Sequence, residues 1–584
     1  MNDLKRLFGY MGPYRRDMAL GMLLVVVESA FEMVIPILMS DIIDQGVSHG
    51  DVREIMWTGV EMAVCAVLAL ITGLLYARYA ARASYGFGAR IRQAEYAKVQ
   101  HYAFGNLDHF ETSSLITRMT TDVTVVQNAI NGGFRPMVRG PAMLVLGVAL
   151  SFYMSPRLAV VFFVCAPVLG VILFFIVRRI APMYARLQQA MDHLNTVVQE
   201  CLTAIRAVKA FVRGEYEEEK FQAVNTELMD VSMTTFRTAV LNLPAFQLTM
   251  YAAMVSILWF GGNMILQGSL TVGRLTSFLS YVLQVMNSLM MISNVFLLMT
   301  RSLASAHRIA AVLDEQVELA NPAHPVAEIP DGGVAFEHVS FKYHPDAAEY
   351  ALAGIDLVIQ PGETVGILGG TGSAKSTLVQ LIPRLYDATE GRVLVGGRDV
   401  REYDLTALRD AVGIVLQKNV LFSGTVRENL LWGNPGASDE ELWAACRAAC
   451  ADEFLQRMPG GLDADLGQGG VNVSGGQKQR LCIARTLLKK PRVLIFDDSV
   501  SAVDTATEAR IRKALAALTG VTKIIIAQRV TSVMNTDKIV VLEDGRIHAV
   551  GTHSQLLASD PIYQEIYHSQ MKGGGADGST ADHR

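Results

Sequence analysis

A chain of 584 residues with 51% hydrophobic side chains and a mean hydropathy of +0.29 is too apolar for an ordinary soluble protein and too long for one domain. Its formal net charge of -5 is small for that length, so electrostatics makes no case for nucleic acid as a partner. The six cysteines form no CxxC pair and read as reduced, structural thiols, which argues against a disulfide or zinc framework.

The opening MNDLKRLFGYMGPYRRD lacks the apolar core and small-residue cleavage site of a signal peptide. It reads as an amphipathic helix on the cytoplasmic membrane surface. Apolar windows follow near 18–39, 56–77, 137–154, 158–177, 246–267 and 275–299, each close to the ~20 residues a spanning helix needs. Lys5, Arg6, Arg15 and Arg16 precede the first span, whereas the 41–55 loop carries Asp41, Asp44, Asp51 and Glu54 against Arg53 alone. Positive residues mark the cytoplasm, so six spans place both termini there. With no organelle-targeting signal, a bacterial cell membrane is the expected location.

Glu28 and Glu32 sit mid-span at i, i+4 and share a helix face, and Glu61 lies early in the second span. A carboxylate at the bilayer centre costs ~2.5–3.5 kcal/mol on insertion scales, so such residues face a wet cavity or a partner. Two readings stand: a cavity that admits cationic amphiphiles, or structural hydrogen bonding. Met286, Met290 and Met291 in the sixth span offer either an adaptable apolar wall or lipid-facing packing.

Spans three and four are joined by MSPR alone, yet roughly 60 residues separate spans two and three, and again four and five. The long pieces keep helical patterning (IRQAEYAKVQHYAF, MDHLNTVVQECLTAIRAVKAF) and read as membrane helices continuing into the cytosol. Polar breaks, FGNLDHFETSS at 104–114 and FVRGEYEEEK at 211–220, allow a short crosswise helix at each turn.

The division expected is a six-helix membrane domain over 1–320, a Pro-rich linker over 321–333, an α/β domain over 334–568 and a Gly-rich disordered tail over 569–584. In the α/β part, ETVGILGGTGSAKSTLVQLI sets a strand (364–368), a Gly-rich turn and a helix in the order a phosphate-binding loop requires. Backbone N–H groups of Gly370 to Ser376 can wrap a β-phosphate, Lys375 reaches the β- and γ-phosphates, and the Ser376 hydroxyl suits Mg²⁺. The pattern GxxxxGK[ST] asks for glycine before the lysine, and Ala374 stands there instead. If that backbone needs positive φ, the Cβ costs about 1–2 kcal/mol.

NVSGGQKQRLCIARTLLKK opens a helix on small residues: Ser474, Gly475 and Gly476 permit close approach of a polyphosphate, and Gln477 adds side-chain hydrogen bonds, although an ordinary serine N-cap explains the same start. Downstream, RVLIFDDSVSAVD is an apolar strand ending on Asp497 and Asp498, as a metal beside a reacting phosphate requires.

Together these motifs resemble the nucleotide-binding domain of an ATP-binding cassette (ABC) transporter, and residues 1–568 resemble an exporter-type half-transporter of the multidrug type. The resemblance implies an α-helical transmembrane domain of six long helices followed by an α/β P-loop NTPase domain, working with ATP and Mg²⁺ on a hydrophobic or amphipathic small molecule. It implies that Tyr343 stacks on adenine, that Gly369, Gly370, Thr371, Gly372, Ser373, Ala374, Lys375, Ser376 and Thr377 form the Walker A loop, and that Gln417 touches Mg²⁺ from the Q-loop. Ser474 to Gln477 match the signature, Asp497 the Walker B aspartate, Ser501 to Asp504 the D-loop, and the breaks near 107–115 and 211–219 the coupling helices.

Three departures cluster. Asp498 stands where the family has its general-base glutamate, Gln528 stands at the switch-histidine position, and Gln468 stands where many exporters have glutamate. Since the family sandwiches each ATP between the Walker motifs of one subunit and the signature of the other, the resemblance implies a heterodimer with a homologous half-transporter, in which this chain brings a slowly hydrolysing site and an intact signature. A homodimeric lipid flippase, an importer on the same scaffold, and an ATP-gated channel or regulatory subunit are the alternatives.

Overall fold

The computed structural model describes residues 2–498 and 505–574. Contacts divide the chain into two compact units, Met1–Gln100 with Thr112–Glu315, and His101–Glu111 with Gln316–Arg584.

The first unit is all helix. α1 (Asn2–Leu7) leads through a short 3₁₀ turn to α2 (Arg15–Asp41), with the direction changed at Gly12, where φ is +46°, and at Pro13. α3 (Val52–Gln100) runs 49 residues. After the short α4 (Phe104–Asp108), which belongs to the second unit, and α5 (Thr112–Thr117) come α6 (Val123–Met154) and α7 (Pro156–Thr203), separated by Ser155 alone. α8 (Ile205–Ala210), α9 (Gly214–Ala239), α10 (Asn242–Leu266) and α11 (Val272–Asp314) complete the series. Among the described residues, 6 helices are long and apolar enough to cross a membrane.

The sequence and the structure part at the second break. FVRGEYEEEK was expected to hold the crosswise turn, but the short helix α8 precedes it, only Phe211 to Arg213 interrupt the helices, and GEYEEEK is the start of α9. Glu215 and Glu217 occupy the first turn of α9, where unpaired N–H groups favour negative charge, so a polar-looking loop is a well-begun helix.

The membrane helices are tied by polar contacts as well as packing. Tyr281 donates to the Met33 carbonyl at 2.8 Å, and Ser277 to that of Pro36, so α11 holds the proline-containing stretch of α2. Asp44 accepts from the Gly273 N–H at 2.8 Å and the Thr271 hydroxyl at 2.5 Å, fixing the start of α11. Of the three methionines, Met286 is fully buried in this core and Met291 faces a cavity.

Among its described residues the second unit carries two sheets. A four-stranded antiparallel sheet has the order β2-β1-β4-β5, with β1 at Val334–Phe341, β2 at Leu352–Ile359, β4 at Glu390–Val395 and β5 at Arg398–Asp399. A six-stranded sheet has the order β10-β9-β3-β8-β7-β6. In it β3 (Thr364–Leu368), β6 (Val412–Val415), β7 (Val493–Asp497), β8 (Thr522–Ala527) and β9 (Lys538–Glu543) run parallel, and only β10 (Arg546–Gly551) is antiparallel. β7 and β8 are buried on both faces, as central parallel strands are, which is why Val493 to Phe496 and Ile524 to Ala527 read as unbroken apolar runs. The final helix, Pro561–Gly574, continues past the boundary expected at 568 because Gln570 is used: its amide accepts from the Val530 N–H and donates to the Gln528 carbonyl, both at 2.8 Å.

Candidate functional site

The parallel strands deliver the chemistry at their carboxyl ends, the usual place for a site in an open α/β sheet. β3 ends at Leu368 and passes into the Gly-rich turn, and two strands away β7 ends on Asp497. A Cβ at Gly369 would lie 2.3 Å from the Leu542 carbonyl oxygen, so only glycine lets the loop cross β9 there. Ala374 closes the loop with φ +64° and ψ +27°, the left-handed conformation in which the missing glycine matters.

Lys375 lies inside the loop it follows, its ammonium donating to the carbonyls of Gly369 at 2.9 Å and Gly370 at 2.6 Å. Burial lowers its pKa below the ordinary lysine range, with Asp498 and Asp497 opposing that shift. Ser376 donates to Asp497 Oδ1 at 2.7 Å. Burial raises the Asp497 carboxyl above the usual aspartate range; the Ser376 hydrogen bond works against this and the neighbouring Asp498 adds to it.

A cavity of about 640 Å³ brings most of the expected residues together: Tyr343, Thr371 to Thr377, Gln417, Asp497, Asp498 and Gln528 all line it. Tyr343 shares a 2.8 Å hydrogen bond with Thr377 and is 44% exposed as a residue. Asp498, itself at φ +46°, accepts from Gln528 Nε2 at 2.9 Å, so two of the three departures touch one another. Burial is also the main cause of a raised Asp498 pKa. Glu349, Tyr350 and Asp544 join the wall with no motif to announce them.

Ser474 to Gln477 lie outside that cavity. Ser474 caps the helix Gly475–Leu488 in a reciprocal box, accepting from the Gln477 N–H at 3.4 Å while Gln477 Oε1 accepts from the Ser474 N–H at 2.9 Å. The ordinary N-cap is therefore realised, and the space beside Gly475 stays open. Ser501 to Asp504, expected as the D-loop, lie outside the described residues.

The donor set fits Mg²⁺. A hydroxyl and a carboxylate sit 2.7 Å apart with the Gln417 amide on the same cavity wall, and Mg²⁺ prefers few hard protein oxygens supplemented by phosphate.

The segment 101–111 packs within the second unit. Asn106 is buried and donates to the Gln316 carbonyl at 2.6 Å, and Asp108 accepts from the Tyr386 hydroxyl at 2.7 Å. Tyr386 meets Phe104 edge-on at 6.0 Å and Tyr343 edge-on at 5.4 Å.

In the first unit Glu28 is buried and bonded by Arg135, with Arg139 at 3.4 Å; Arg139 also holds Glu32 at 2.5 Å. Arg135 lies over the Tyr76 ring at 5.6 Å. Two carboxylates thus meet two guanidiniums from α6, cations that hydropathy alone does not assign to them. Glu32 and Arg139 line a cavity of about 590 Å³ with Met62, Met143, Gln284 and Met291, while Glu28 does not reach it. Structural pairing is therefore realised for both acids, and the cavity wall has no surplus negative charge from them.

Residues 18–289 match the model of the ABC transporter transmembrane region, and residues 352–501 match the model of the ABC transporter. The chain is 37% identical over 578 residues to the uncharacterised ABC transporter ATP-binding protein YfiB of Bacillus subtilis, covering 99% of this chain and 100% of the relative. This chain belongs to the ABC transporters. Its architecture is that of an exporter half-transporter: a bacterial Atm1-family ABC exporter solved with ATP bound superposes with a TM-score of 0.80 at 25% identity, covering 96% of this chain and 98% of that one. An ATP-dependent lipid A-core flippase of Chromobacterium violaceum is 34% identical, covering 98% of both chains.

Proposed function

We propose that this chain is one subunit of a heterodimeric ATP-driven exporter that moves hydrophobic or amphipathic compounds, drugs or lipids, out of the cytoplasm or inner leaflet of a bacterial cell membrane, with both termini cytoplasmic. The observation that carries the reading is the contact between Asp498 and Gln528. The carboxylate at the general-base position is one CH₂ short, roughly 1.5 Å, while a base must come within about 2.6–3.2 Å of the water it polarises. Its oxygen is engaged by an amide that cannot carry positive charge.

In this reading Tyr343 stacks on adenine, the loop from Gly369 to Thr377 holds the phosphates, and Lys375 turns from its own carbonyls to the β- and γ-phosphates. Ser376, Gln417 and Asp497 would hold Mg²⁺, which when bound offsets the charge of those phosphates. ATP held here turns over slowly, and Ser474 to Gln477 complete the faster site on a homologous partner. Nucleotide-driven closure turns the membrane cavity outward, and hydrolysis resets it. The test is ATPase activity and vesicle transport by the purified chain alone and together with its homologous partner. Robust hydrolysis by the chain alone, unaffected by Asp498→Ala, overturns the heterodimer.

A second reading, a homodimeric lipid flippase, draws support from the similarity to the lipid A-core flippase along the full length. It requires the chain alone to hydrolyse ATP and to move lipid between leaflets.

A further inference from the structure

The first unit holds another cavity, of about 790 Å³, separate from the two described above. Its walls are apolar: Leu4 and Phe8 from the N-terminal segment, Met18 and Met22 from α2, Ile130 and Phe134 from α6. Lys5 and Arg15 stand among the lining residues and are both exposed. The groove is braced on one side. Leu7 and Met11 are buried, and the Phe8 ring stacks on Phe87 and meets Phe134 edge-on, each at 6.1 Å between centroids. The turn at Gly12 and Pro13 then folds this short segment back toward α2.

The charges here do not balance. Asp3 is taken by His307 at 2.9 Å and Asp17 by Arg82 at 3.4 Å, while Arg6 reaches Asp314 at 2.5 Å. Lys5, Arg15 and Arg16 have no carboxylate partner among the described residues; Arg15 only touches the Phe8 carbonyl, at 3.5 Å. An apolar trough of ligand size with Lys5 and Arg15 among its lining residues complements a molecule with a hydrocarbon tail and an anionic head. An apolar protein helix would fill the trough but leave Lys5 and Arg15 unmatched.

We propose that this groove seats one anionic glycerophospholipid of the surrounding bilayer, an acyl chain lying against Met18, Met22 and Phe134 and its phosphate on Lys5 and Arg15. The site depends on membrane embedding alone and is independent of the heterodimer reading. The experiment places the full chain in nanodiscs of equal phosphatidylglycerol and phosphatidylcholine and counts retained lipids by native mass spectrometry. The chain should retain phosphatidylglycerol preferentially, and Lys5→Gln and Arg15→Gln should each reduce that preference about fivefold. Gly9→Phe fills the groove at a position where a Cβ meets nothing within 4 Å, so it should lower retention of both lipids with the cations intact. Ala19→Phe, at an exposed lining position, provides the same test should the first variant misfold. Equal retention of the two lipids, undiminished retention in both filled variants, or a photocrosslinker at Gly9 that captures a protein chain instead of lipid would each overturn the site.

Discussion

Tyr386 donates its hydroxyl to Asp108 across 2.7 Å while its ring stands edge-on to Tyr343 at 5.4 Å, so one side chain touches both the 101–111 segment and the expected adenine platform. Burial, with Asp108 beside it, raises the phenol pKa well above the usual tyrosine range, so it stays a donor at physiological pH. Tyr386→Phe keeps the ring and should leave nucleotide affinity within about twofold. Tyr386→Ala removes the edge contact and should weaken it by about five- to tenfold, the edge-to-face term being ~0.5–1.5 kcal/mol before lost area is added. Titration of the purified chain with a fluorescent ATP analogue measures both.

Ala374 occupies the left-handed conformation at φ +64°, and its substitution should relieve strain. Ala374→Gly removes a penalty of about 1–2 kcal/mol and returns about 0.4–1 kcal/mol of unfolded-state entropy, for a net gain near 0.5–1 kcal/mol. The unfolding midpoint should rise by a few degrees and ATP should bind at least as tightly. A lower midpoint would mean that the methyl has packing value that outweighs the backbone strain.

Asp498 and Gln528 should respond as a pair. Asp498→Glu alone restores little hydrolysis, because Gln528 still donates to the carboxylate and brings no charge. Asp498→Glu with Gln528→His should raise ATPase activity of the chain alone by at least ~10²-fold, the lower range for a positioned general base. Full recovery from the first substitution alone would show that the switch position matters little.

Glu28 is the more constrained of the two membrane acids. Glu28→Gln leaves Arg135 facing a neutral group, and breaking a buried pair costs about 3–5 kcal/mol. Arg135 is 40% exposed, so about 1–3 kcal/mol is expected here after solvent screening. Glu32→Gln, at the cavity wall, should destabilise less and alter transport more. Melting curves in detergent, set beside dye and lipid transport in vesicles, separate the two.

Much of the second unit was legible because its signals are local. The run TVGIL at 364–368 is a short, mostly apolar stretch before a Gly-rich turn, and β3 has those bounds. The Asp497 and Asp498 step at the end of β7 was readable for the same reason. What escaped were relationships across the chain. Tyr386 carries no pattern of its own and acquires its place from Phe104, Asp108 and Tyr343. Arg139 falls inside the third apolar window and Arg135 just before it, and hydropathy alone cannot assign them to acids 107 and 111 positions earlier. The start of α9 was hidden because acidic first-turn residues look like a loop when charge is read without helix direction.

The pairing of Glu28 and Glu32 with Arg135 and Arg139 has an electrical consequence. Moving one elementary charge through 100 mV of membrane potential involves about 2.3 kcal/mol. Two bare carboxylates shifting together would make the step that moves them voltage-sensitive. A quartet whose charges sum to zero travels through the field as a unit with no net work, so rearrangement of these helices is insulated from the energised state of the cell.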